Sequence, residues 1–217
     1  MTEPTTERPV LRVSVYSDYT CPWCYIGSGR LDRLREELGD RAELRVEWKP
    51  FEIHPEVPEE GMPVSALPYP REQWERMVEH LRREAAREGL EITSLGKVAN
   101  THRALVASAY VQAEEPERFP EFHDALFRAY FGEGRDLGDP AVVGEVARES
   151  GVDAERMEKA LREGRYEGAL AETTATAHRL GITGTPTFVF DERYAAVGAQ
   201  PVEELRRVAE RVLEEAG

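Results

Sequence analysis

Leu11 to Tyr16 (LRVSVY) alternates apolar and polar positions and is rich in β-branched residues, which predicts a strand. Ser17 to Thr20 reads as a polar turn. Leu31, Leu34 and Leu38 then recur at helical spacing, and Gly39 ends the run. Ala42 to Phe51 places Leu44, Val46 and Trp48 on one face of a second strand. Strand, helix, strand at this separation predicts a right-handed βαβ unit. A loop rich in Pro, Gly and Glu follows from His54 to Pro70.

From there to Leu180 the pattern is helical. One stripe is Trp74, Met77, Val78 and Leu81, and a second is Leu105, Val106, Ala109 and Tyr110. A third is Phe122, Leu126, Phe127, Tyr130 and Phe131, and a fourth is Val142, Val143, Val146 and Ala147. Two more helices are predicted, around 154–163 and 166–180. After Gly181 the chain returns to β character, with a strand at Thr187 to Asp191, a tight turn, and a partner strand at Tyr194 to Val197. A last helix opens near Pro201 and buries Val202, Leu205, Val208, Val212 and Leu213. The expected class is therefore α/β, a βαβ…ββα chain interrupted by a large α-helical insertion.

Composition narrows the function. Hydrophobic residues are 41% of the 217, enough for a packed core, which excludes general disorder. The formal charge of −14 argues against nucleic acid and anionic membranes as partners. Residues 52–183 carry −10 of that charge, as expected of helices with broad solvated faces. No apolar run approaches the roughly 20 residues of a membrane span. Met1 to Pro9 lacks a signal-like apolar core, so the chain reads as cytoplasmic.

The only two cysteines, Cys21 and Cys24, lie three apart. Between strand and helix, Cys21 would meet the unpaired N–H groups and the positive dipole end of the helix. Both favour a thiolate, the form that attacks disulfides. Pro22 suits the first turn because it has no N–H to lose. Cys24 lies one turn on, near enough to close a disulfide. A lone Cys-x-x-Cys also fits half a zinc site or two inert thiols, although there is no second cysteine pair and no His-x₃₋₅-His spacing. The other signal is Gly184-Thr185-Pro186-Thr187, directly before the TFVFD strand, where a proline opening a strand is also ordinary.

CPWC at a helix start, a helical insertion and GTPT before a hairpin together resemble the DsbA-like branch of the thioredoxin superfamily. SDYTCPWCYIG, PFEIHPEVPEEG, FHDALFRAYFGEGRDLGD and GITGTPTFVFDERYAAVGAQP are similar to its FrnE-type subgroup. The resemblance runs from about Leu11 to Arg211. It implies a thioredoxin-like domain of residues 10–61 and 181–217, with 62–180 as the insertion. It implies a thiol–disulfide oxidoreductase acting on protein or small-molecule disulfides, with Cys21 as the exposed nucleophile and Cys24 as the resolving thiol. Pro186 matches the cis-proline facing the dithiol. Thr185 would offer its backbone to an extended substrate strand, and Pro22 and Trp23 would tune the couple.

No metal or nucleotide is implied. Glutathione is the one co-substrate left open, because related branches are glutathione-dependent isomerases and transferases of the hydroxychromene-carboxylate isomerase and kappa types. Those generally lack the second cysteine, and both sulfurs are present here. Oligomeric state is unreadable, a homodimer being one option. Asn100 reads as a helix N-cap or, by the resemblance, a substrate contact in the cleft. Asp18 is a turn residue or a carboxylate near the thiol. Trp48 and Trp74 are expected in the core, His102 at the surface or in packing, and Tyr25 fits either core or site.

Overall fold

The computed structural model describes residues 8–93 and 95–216. Val10–Ser17 forms β1, Pro22–Leu38 α1 and Glu43–Pro50 β2. β1 and β2 run parallel, with Val15 beside Trp48. Thr187–Phe190 (β5) pairs antiparallel with β1, and Tyr194–Val197 (β6) with β5. The sheet order is β2-β1-β5-β6. Alternation along β1 places Leu11, Val13 and Val15 on one face. There they pack against Leu31, Leu34 and Leu38 of α1 and against the last helix, α8 (Val202–Ala216). Tyr16, on the opposite face, packs with Phe51, Ala177 and Ile182. The β5–β6 turn has positive φ at Asp191 and Glu192, 44° and 58°, the geometry that matches strand twist in a tight hairpin. This is a thioredoxin fold with a large helical insertion.

The insertion holds α2 (Arg71–Arg87), α3 (His102–Glu114), α4 (Phe119–Phe127), α5 (Pro140–Glu149), α6 (Ala154–Arg162) and α7 (Glu167–Arg179). Two departures from the sequence pattern stand out. The expected loop at 54–70 contains β3 (Met62–Pro63), which pairs antiparallel with β4 (Lys97–Val98). Two-residue strands are too short to carry a period. The second concerns α3, which has no stripe. Every residue from Ala104 to Val111 is buried, because α3 runs through the middle of the insertion and meets α4, α5, α6, α7 and β2. The third stripe is one helix that widens into a π turn at Arg128–Gly132.

Gln112 of α3 reaches the open edge of β2. Its Oε1 accepts the Trp48 N–H at 3.2 Å and its Nε2 donates to the Trp48 carbonyl at 3.1 Å. The Trp48 ring lies 3.9 Å from that of His123, which is 3% exposed. Burial holds the His123 imidazole down at about 3.

That depression has a sign. The unfolded chain takes up this proton near pH 6.5 while the folded chain does not. The stability His123 contributes is therefore present above about pH 6.5 and lost as the pH falls toward 3. Between pH 7 and 5 the loss is expected to be about 2 kcal/mol. Urea unfolding of wild type and His123→Phe at both pH values checks it, since the variant should lack that part of the slope. Coincident slopes would mean that the imidazole is not held neutral by the fold. No helix among the described residues is long and apolar enough to cross a membrane.

Candidate active site

β1 ends at Ser17, and the next residue, Asp18, is wholly buried. Its Oδ1 accepts the Thr101 hydroxyl at 2.6 Å and the Thr20 N–H at 3.1 Å, and its Oδ2 accepts the Ile53 N–H at 2.8 Å. One carboxylate thus ties the turn before Cys21 to the loop after β2 and to the start of α3. The Cys21 N–H donates to the Asp18 carbonyl at 3.2 Å. Burial raises the Asp18 pKa above the ordinary carboxylate value, against the pull of these hydrogen bonds.

Cys21 takes the N-cap position of α1 in extended geometry, φ −88° and ψ 110°, with Pro22 in the first turn. Its sulfur donates to the Thr185 carbonyl at 3.6 Å. The two thiols are pushed apart in acidity. A hydrogen bond from the Cys24 side chain holds Cys21 below the ordinary thiol value, helped by the Thr185 side chain and the Cys24 N–H and opposed by burial and the Asp18 charge. Burial, and then Cys21 itself, push Cys24 well above that value. The buried Thr185 hydroxyl has no hydrogen-bond partner among the described residues. Both sulfurs are free thiols.

The Thr185–Pro186 bond is cis, and Pro186 is buried against α1. Gly27 permits that contact, since a Cβ there would sit 3.0 Å from the Phe188 ring and 3.3 Å from Pro186. Trp23 is half-buried, its ring 5.5 Å from that of His80 on α2. The fold therefore brings Cys21, Pro22, Trp23, Cys24, Thr185 and Pro186 to one place. Such an arrangement can offer one thiolate to a disulfide and hold a second, protonated thiol behind it.

The structure corrects some expectations and narrows others. Cys21 is 5% exposed, not an open thiol, because Thr185, Cys24 and the neighbouring core close around it. Asn100 lies one residue before Thr101, where α3 is capped by position, but its side chain makes the capping bond that Thr101 does not. Its Oδ1 accepts the His102 N–H at 3.1 Å and its Nδ2 donates to the Val57 carbonyl at 2.7 Å, so both polar ends are used inside the protein. Trp74 is only partly buried and stacks on the exposed Tyr69. Tyr25 is core, lying at 9° to Phe131 with ring centroids 5.5 Å apart. His102 bridges Glu52 and Glu167 at 3.2 and 2.8 Å.

Thr101, which anchors Asp18, had no signal in the sequence, since a short polar side chain before a helix looks like surface. Among the described residues no three His, Cys, Asp or Glu side chains converge as metal ligands would. A cleft of about 970 Å³ lies between the Ser14–Tyr16 face of the sheet and helices α3 and α7, and neither cysteine lines it.

Known proteins are similar to this chain in sequence and fold. The Bacillus subtilis protein YwbO is 27% identical over 183 residues, 84% of this chain and 88% of its own length. The crystal structure of a probable DsbA oxidoreductase from Streptomyces coelicolor is 27% identical and superimposes with a TM-score of 0.87, covering 94% of this chain and 91% of that one. A 2-hydroxychromene-2-carboxylate isomerase, 19% identical, shares the fold with a TM-score of 0.73 over 94% and 97% of the two chains. The model of the DSBA-like thioredoxin domain matches residues 12–209, which takes in both cysteines, the whole insertion and Thr185–Pro186, and the chain belongs to that family.

Proposed function

We propose that this protein is a thiol–disulfide oxidoreductase of the FrnE type whose reacting groups are Cys21 and Cys24. The observation that carries this is geometric: two free thiols lie one turn apart at the N-terminus of α1, and the first is hydrogen-bonded to the Thr185 carbonyl next to Pro186. The Cys21 thiolate attacks one sulfur of a substrate disulfide. A mixed disulfide forms and the first substrate thiolate leaves. Cys24 then attacks the Cys21 sulfur, its proton leaving with the second substrate thiol. Two electrons have passed to the substrate, and Cys21–Cys24 is a disulfide. Run backward, the same steps oxidise a dithiol, and the potential of the couple relative to its surroundings sets the direction.

Thr185 and Pro186 form the edge on which an extended substrate rests, and Pro22 and Trp23 tune the couple. Substrates are disulfide- or thiol-containing proteins or small molecules. The test is insulin reduction by dithiothreitol. The wild type should accelerate precipitation of the insulin B chain, and Cys21→Ala should return the rate to that of dithiothreitol alone. No acceleration by the wild type, together with glutathione-requiring turnover of a hydroxychromene carboxylate, would overturn this assignment in favour of an isomerase.

A further inference from the structure

We propose that Arg30 is a positioning residue that holds the Thr185–Pro186 edge in register for polypeptide substrates, an inference that rests on the oxidoreductase assignment above. Arg30 lies on α1, past the two cysteines, and is 5% exposed. A buried guanidinium must place its donors in a fixed fork. Nε donates to Oε1 of Glu88, which caps α2, at 3.2 Å, and Nη2 to Oε2 of Glu84, in its last turn, at 2.5 Å. Nη1 donates to the carbonyl of Ala199, in the bend between β6 and α8.

The third bond is not needed for charge balance. Arg33 donates to Glu88 at 3.0 Å and Arg87 to Glu84 at 2.6 Å, so each glutamate already has a second arginine. What it fixes is the bend. The adjacent Gly198 N–H donates to the Pro186 carbonyl at 2.8 Å, so one residue step separates the carbonyl gripped by Arg30 from the amide that grips Pro186.

The backbone of α1 supports the same bracket. Gly27 lies against Pro186, and a Cβ on Gly29 would sit 2.9 Å from Glu88 Cβ. The run Gly27-Ser28-Gly29-Arg30 thus lets α1 approach the proline strand on one side and the insertion on the other, with the guanidinium linking them. A polypeptide that pairs with the Thr185 backbone needs that edge in place. A small disulfide that touches only Cys21 does not.

Arg30→Lys keeps a positive charge before Glu84 and Glu88, but a compact ammonium cannot reach three separated acceptors. The amide of Gly198 should exchange with solvent about tenfold faster in this variant. The KM for insulin should rise about tenfold, while kcat and the rate with a small aromatic disulfide stay within about twofold of wild type. Unchanged exchange at Gly198, unchanged KM, or equal slowing of both substrates would each overturn the proposal. Arg30→Met combined with Glu84→Gln removes one charge of each sign and gives the same readouts should the lysine variant not fold. If the wild type attacks neither disulfide, the oxidoreductase assignment fails, and Gly198 exchange alone decides whether the clamp exists.

Discussion

Cys24→Ser is expected to convert the protein into a covalent trap. Cys21 keeps its position at the mouth of α1, beside the Thr185 carbonyl and the Cys24 N–H, and can still attack. Nothing then resolves the mixed disulfide, so turnover should fall by about a thousandfold or more while adducts accumulate on Cys21. The serine hydroxyl at position 24 can still donate to the Cys21 sulfur, so capture itself should be retained. Cys21→Ser should capture far less, because Cys24 is wholly buried and burial keeps it protonated. The measurement is a non-reducing gel and mass spectrum of tagged variants pulled from cell extract. Equal adduct yield from the two variants would exclude the assignment of Cys21 as attacker. A glutathione transferase or isomerase would behave differently, since it needs no resolving thiol and Cys24→Ser should leave its turnover nearly intact.

The second large effect is expected far from the sulfurs. Phe127 of α4 is fully buried, with its ring centroid 4.9 Å from Tyr19 and 5.5 Å from Tyr25. Those two tyrosines flank the cysteines in sequence, so one side chain of the insertion supports both sides of the dithiol turn. Tyr19 also donates to Ser108 at 2.9 Å, which joins the same turn to α3. Phe127→Ala should cost about 3–5 kcal/mol, from lost burial and a cavity that the neighbouring rings cannot close. Urea unfolding measures that cost. Alkylation of the native protein adds a second readout, because Cys24, shielded in the wild type, should become reactive as the turn opens locally. A loss under 1 kcal/mol would show that the ring cluster repacks and does not brace the turn.

What the sequence showed and what it hid divide along physical lines. LRVSVY, the run after CPWC and the TFVFD hairpin are governed by local periodicity, and the elements formed there match their patterns to within a residue or two. The six predicted site residues besides Asn100 also converge, because CPWC sits at a strand end and GTPT opens the neighbouring strand. Asn100 illustrates the limit. An asparagine before a helix has two ways to use its oxygen, and only the position of Val57, 43 residues away, decides where its amide goes. Asp18 is a stronger case. Nothing local distinguishes a turn aspartate in water from one buried under the Thr101 hydroxyl and the Ile53 amide, since both partners come from distant segments. The near-complete burial of Cys21 has the same origin, in packing against residues of the insertion that lie far along the chain.

The Gln112 amide at Trp48 bears on how far this protein could be trimmed. β2 is an outermost strand, and its N–H and C=O groups at Trp48 are occupied by a side chain that belongs to the insertion. A shortened version that joined residue 52 to residue 184 would keep every strand of the main sheet and both cysteines, but it would bare that margin. Bared strand margins recruit other chains. The predicted behaviour of such a minimised enzyme is therefore self-association through β2 into growing aggregates, with the helical segment revealed as the molecule's own guard against polymerisation.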